Sequence, residues 1–140
     1  MMTMGHYRLL EHTADMGLEA WGQSREELFV QAALALRAVM MGAARVESRR
    51  SISLDVEGFD DAELLVNWLA EVLFHFECRR FVPAGFILEF SAEGLHAQVQ
   101  GEDFDPDRHT VEREVKAVTH HQVLVEQTPQ GWHGRVYLDL

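Results

Sequence analysis

At 140 residues, the chain has the length of one ordinary domain, taken at about 150 residues each. A chain of this size buries roughly 68% of its unfolded surface without staples. It is 47% hydrophobic and 25% charged, the composition of a soluble globular domain. The lone Cys78 cannot close an internal disulfide, which excludes a Cys-rich secreted scaffold.

No apolar run approaches the roughly 18 residues of a membrane span. Residues 1–8 lack the charged-then-apolar layout of a signal peptide. A cytoplasmic protein with no membrane partner is therefore expected. Twelve Lys+Arg stand against 23 Asp+Glu, a net charge of −11. Proteins that grip nucleic acid alone present a basic face to the phosphates. Here the one basic cluster is Arg45, Arg49 and Arg50, so contact with RNA is expected to be indirect only. So acidic a surface suits a basic protein surface or a metal ion, or serves solubility alone.

In chain order, segments 6–11 and 16–22 are weak strand candidates flanking the polar bend His12–Asp15. Ser24 with Glu27 three residues on is a capping-box signature. Leu28, Phe29, Ala32, Ala33, Leu36 and Met40 follow at helical spacing, and Gly42 closes the helix. Ile52, Leu54 and Val56 alternate as a strand. Asp60 with Glu63 starts a second helix, whose apolar face is Leu64, Leu65, Trp68, Leu69, Val72, Leu73 and Phe76. Cys78 on this apolar helix is expected to be a buried structural thiol. Arg79 and Arg80 suit its C-terminus.

Phe86–Phe90 and Leu95–Val99 alternate around a turn at Ser91–Gly94, a first hairpin. Segment 112–118 is a further short strand. Val123 and Val125, then Trp132 to Leu138 after the turn Thr128–Gly131, form a second hairpin. Pro83, Pro106 and Pro129 fall between patterned segments. The whole, residues 1–140, reads as a single α+β domain. Its two amphipathic helices are expected to cover one face of a mixed, mostly antiparallel sheet of about seven strands.

The chain has no phosphate loop, GxGxxG, HExxH or CxxC motif. His120 and His121 are adjacent; in a strand they would point to opposite faces, so the two cannot chelate together there. His12 and Asp15 can converge across their bend, unless Asp15 simply closes an Asx turn on its own backbone. The last strand keeps its alternation to the final residue, setting Asp139 and the terminal carboxylate of Leu140 one residue apart. With Asp15 these would make an all-oxygen site for Ca²⁺, Mg²⁺ or Mn²⁺ rather than zinc. The alternative is three solvated acids that never meet.

Four blocks carry a family resemblance. His12-Thr13-Ala14-Asp15-x-Gly17, continued by Ala20, Gly22 and Glu27-Leu28-Phe29-x-x-Ala32-Ala33, resembles the opening of the archease family. Asp61-x-Glu63-Leu64-Leu65-Val66-x-Trp68-Leu69-x-Glu71-x-Leu73 resembles its central helix, and Glu114–His121 the block before its last hairpin. Gly131-Trp132 and Asp139-Leu140 resemble its ending. The blocks run in family order and span nearly the whole chain. Two positions depart from the pattern: His120 stands where an aromatic is common, and Leu140 where a β-branched residue is common.

The resemblance implies a protein cofactor, not an enzyme. It implies an activator of the GTP-dependent RNA ligase of tRNA splicing or RNA repair, which assists guanylylation of the ligase and its repeated turnover. It implies a divalent cation held by Asp15, Asp139 and the chain end at Leu140. His12, Lys116 and His120 are carried as candidate partner contacts. Two other readings compete with this one. The first is a general chaperone of tRNA-modifying enzymes such as tRNA methyltransferases, without metal dependence. The second is a metal-dependent hydrolase on the same carboxylates, which would recruit His12 and Lys116 and turn over a phosphoester alone.

Overall fold

A computed structural model of the chain describes residues 5–11 and 15–140. Helix α1 (Arg25–Met41) starts behind Ser24, whose Oγ accepts the Glu27 N–H at 3.1 Å. The Glu27 carboxylate in turn accepts the Gln23 N–H, also at 3.1 Å. Orphan donors of the first turn are thereby satisfied from both sides. Gly42 ends the helix with φ 66°, a left-handed conformation open to glycine without strain. Helix α2 (Asp61–Arg79) repeats the device: Asp60 accepts the Glu63 N–H at 2.9 Å.

Both helices are buried along broad faces. In α1 Leu28, Phe29, Ala32, Ala33, Ala35, Leu36, Val39 and Met40 have no exposed surface. A helix this apolar around its circumference must have neighbours on more than one side. On one side lie strands β1 (His6–Glu11), β2 (Asp15–Gly22) and β8 (Gly131–Asp139); on the other lies β4 (Phe81–Phe90). Helix α2 touches β3 (Arg50–Glu57) and β4, and also β6 (Ala117–Val118) and β7 (Leu124–Thr128). Trp68 joins the two helices, its Nε1–H donating to Phe29 O at 3.0 Å.

The α+β architecture with two helices matches the sequence reading, but the sheet is divided. Eight strands among the described residues form two separate antiparallel sheets, where about seven in one were expected. One runs β1-β2-β8-β6, with β7 also paired to β8; the other runs β3-β5-β4 around β5 (Gly94–Asp103). The helices consequently contact both sheets instead of covering one face.

Two local expectations are corrected. Only Ala117 and Val118 of segment 112–118 join a ladder. The Glu112 N–H goes instead to Met40 O at 2.7 Å, tying this stretch to the end of α1. Cys78 is exposed. It lies two residues, or about 200° of helical rotation, beyond the buried Phe76.

Candidate functional site

The antiparallel register of β2 and β8 sets Asp15 opposite Asp139, Gly17 opposite Tyr137, and Glu19 opposite Arg135. Directly opposed residues share a face, with Cβ atoms about 4.5–5.5 Å apart. Asp15 and Asp139, from the two ends of the sequence, thus meet on one rung. Neither Asp15 nor Asp139 is ion-paired among the described residues. Two facing carboxylates without a counter-charge repel each other, and a cation between them removes that repulsion.

Surrounding segments fix the rung. On the far edge of β8, Ala117 pairs with Asp139, and the Lys116 N–H donates to Asp139 O at 2.8 Å. Arg113 reaches Glu11, the last residue of β1, at 3.2 Å. Two residues along, on the same face, Gly17 lets the Tyr137 ring lie across β2. A Cβ at residue 17 would stand 2.8 Å from Tyr137 Cε1 and 3.1 Å from Leu10 Cβ.

Beside this rung lies a shallow pocket of about 200 Å³ lined by Asp15, His121, Gln122 and Tyr137. The turn His120–Val123 forms its outer wall, closed by the Val123 N–H on His120 O at 3.3 Å. Larger hollows occur elsewhere, one of about 390 Å³ among Asp55, Glu57, Glu89 and Glu93 on the second sheet. None of the residues quoted from the family motifs lines that hollow, so chemistry rather than size selects the site.

The expected residues fall as follows. Asp15 and Asp139 are brought together, and Leu140 follows Asp139 directly, half-buried against the core. His12 lies outside the described residues. Lys116 is exposed and meets Asp139 through its backbone. Of the histidine pair, His121 lines the pocket beside Asp15. No three His, Cys, Asp or Glu side chains among the described residues gather into a metal cage. The side-chain part of the expected donor set is the Asp15–Asp139 pair alone.

The same outer face of the sheet continues away from this rung. Glu19 is nearly buried; it accepts from Arg8 at 2.5 Å, and His133 Nε2 lies 2.7 Å away. Burial alone would raise the Glu19 carboxyl, but the hydrogen bonds from Arg8 and His133 outweigh it and hold the group below its ordinary value. Trp21 stacks between His6 and His133, with ring centroids at 4.4 and 5.1 Å.

A second polar cluster escaped the sequence reading. Glu102 is 1% exposed, yet it accepts from Arg108 Nη1 and Nη2 and from the Glu47 N–H, the last at 2.6 Å. His109 is equally buried, with Nε2 3.3 Å from Glu102. The Asp105 N–H donates to His109 Nδ1 at 2.9 Å, so the ring proton sits on Nε2 and points to Glu102. The Arg108 hydrogen bond holds the Glu102 carboxyl at about 2, against the opposing push of burial. This cluster anchors the long loop that leads from β5 to Lys116. Arg49 and Arg50 are likewise neutralised, by Glu47 and Asp103, so they offer no open basic patch.

Comparison with known proteins agrees with the layout. The chain matches the Archease protein family over residues 7–140. It is 34% identical to Protein archease of Pyrococcus furiosus, with 96% of each chain covered. It is 36% identical to Protein archease of Methanosarcina mazei, covering 96% of this chain and 95% of that one. Among solved structures it is similar to protein 1598 of Methanobacterium thermoautotrophicum. There the TM-score is 0.75 at 31% identity, covering 96% of this chain and 98% of the other. Motif order, fold and full-length identity agree: this chain belongs to the archease family.

Proposed function

We propose that the chain is a non-enzymatic, divalent-cation-binding activator of a GTP-dependent RNA ligase. It would promote guanylylation and repeated turnover of the ligase in the cytoplasm, in tRNA splicing or RNA repair. The observation that carries this reading is the opposition of Asp15 and Asp139 on one rung, reached from motifs at the two ends of the sequence. Asp15, Asp139 and the terminal carboxylate expected at Leu140 would hold the cation. An all-oxygen set of this kind suits Ca²⁺, Mg²⁺ or Mn²⁺. When bound, the cation supplies positive charge for phosphoryl oxygens.

The protein's own part is to dock and to position. A ligase that holds RNA and GTP needs a basic cleft, and a net charge of −11 draws this chain toward such a surface. His12, Lys116 and His120 are proposed to contact the ligase around the docked tip.

A ligase assay tests the reading. Asp139→Ala is expected to abolish stimulation while leaving thermal unfolding intact, and chelation of divalent ions from the activator should do the same. Stimulation unchanged by both would refute the reading and favour a metal-independent chaperone. Phosphoester turnover by the isolated chain would favour a hydrolase.

A further inference from the structure

We infer that the outer face shared by β2, β8 and β7 carries a proton-driven carboxylate exchange: Glu126 of β7 binds the doubly protonated ring of His133, and passes to Arg135 when that ring loses a proton. The inference is independent of the cation site proposed above.

Three observations carry it. The first is the pairing of the ring. His133 Nε2 lies 2.7 Å from Glu19, and Nδ1 lies 3.0 Å from Glu126. A carboxylate only accepts hydrogen bonds, and a neutral imidazole donates only one. Two carboxylates on one ring therefore require a hydrogen on each nitrogen, which is the charged form. Burial raises the Glu19 carboxyl, yet the hydrogen bonds from Arg8 and His133 hold it below its ordinary value, so this partner is ionised.

The second is a cation without a partner beside the bridge. Arg135 lies two residues from His133 on β8, on the same face. It has no ion pair among the described residues, and its buried Nε has no acceptor. Glu19 stands opposite Arg135 but is already engaged by Arg8 and His133. In the β7–β8 register Glu126 stands opposite His133, and Leu124 opposite Arg135. Glu126 and Arg135 are thus diagonal neighbours, at the roughly 7–8 Å that long side chains span.

The third is the unequal freedom of the two carboxylates. The Glu19 side chain is 10% exposed and that of Glu126 is 47% exposed. Glu19 stays in place, so the ring hydrogen that remains is the one on Nε2. The Nδ1 lone pair then faces the Glu126 carboxylate, which turns away to the guanidinium. The other charged or titratable groups on this face are Arg8 and, across the Trp21 ring, His6. Proton uptake closes a bridge across β2, β8 and β7 and leaves Arg135 free; proton loss opens the bridge and neutralises Arg135. The stability that the bridge supplies is complete in mildly acid solution and is lost as the pH rises and the ring is neutralised.

The test uses the full chain, with nitrogen NMR of the His133 ring and the Arg135 guanidinium at about pH 5 and about pH 9, on either side of the ordinary imidazole range. Wild type should show both ring nitrogens protonated at the lower pH and Nε2 alone at the higher, with the Arg135 Nε signal shifting in step. In Glu126→Gln that Arg135 shift should be lost. Double-mutant cycles give a second readout. Coupling of Glu126→Gln to His133→Gln should be present at the lower pH and absent at the higher, and coupling of Glu126→Gln to Arg135→Gln should show the reverse. A neutral ring at the lower pH overturns the charged bridge. A ring that keeps both hydrogens at the higher pH overturns the exchange, as does an Arg135 signal that ignores pH or moves equally in Glu126→Gln.

Discussion

Gly17→Ala perturbs the site by a single methyl group. The backbone at residue 17 tolerates alanine, because its φ lies outside the left-handed region. The methyl itself does not fit. It would stand 2.8 Å from Tyr137 Cε1 and 3.1 Å from both Leu10 Cβ and Tyr137 Cδ1. Carbon atoms rest at about 3.5–4.0 Å, so the ring must retreat by roughly 0.7 Å or more. Forcing an extra methyl into packed surroundings costs about 1–3 kcal/mol, offset by roughly 0.5–1 kcal/mol of lost unfolded-state entropy. The net expectation is a fall in the thermal midpoint of about 2–6 °C, together with weakened cation binding as the wall beside Asp15 moves. The control is Tyr137→Ala. In that background the ring is gone and only the close approach to Leu10 Cβ remains, so the cost of Gly17→Ala should shrink markedly, a coupling readable from a double-mutant cycle. An equal effect of Gly17→Ala in both backgrounds would refute the contact.

Two further outcomes follow from the geometry. Glu102→Ala leaves the buried His109 ring and the Glu47 N–H without their partner, while the exposed Arg108 keeps Asp105, and should cost about 1–3 kcal/mol by chemical denaturation. The native Glu102 carboxyl sits at about 2 against an ordinary 4.5, so its contribution is complete above pH 4.5 and disappears as the pH falls toward 2; Glu102→Gln should flatten that part of the stability curve, and an unchanged curve would count against the assignment. One residue added after Leu140 moves the terminal carboxylate about 3.3 Å along the strand, farther than the roughly 2.3–2.6 Å of a calcium–oxygen bond. Cation affinity should then fall at least tenfold at constant thermal midpoint, whereas full affinity would remove the chain end from the donor set.

The helices were legible because their signals are local. Ser24 with Glu27, and Asp60 with Glu63, cap the starts three residues apart, and the apolar period follows. The apolar character of α2 alone places Cys78 inside, whereas its helical phase places it outside. Strands were legible by alternation, but their partners were not. Nothing in the pattern of β3, β4 and β5 says that they pair apart from β1, β2 and β8.

The opposition of Asp15 and Asp139 spans almost the entire chain, and only the family motifs suggested it. Glu102 follows the inward-facing Gly101, so alternation assigns it to the solvent side of β5. Arg108 and His109 return over it from the next loop, which no local pattern encodes. The preference for His121 over His120 beside Asp15 depends on the turn at Gln122, where glutamine adopts a conformation that its residue type does not announce.

The central claim is that Asp15, Asp139 and the chain end together hold one divalent cation. Calorimetric titration of the isolated chain with Ca²⁺, Mg²⁺ and Mn²⁺, beside the isosteric Asp139→Asn variant, tests it most directly. The account predicts one cation per chain in the wild type and none in the variant, with both equally folded. Equal binding by the two proteins, or no binding by either, would contradict it.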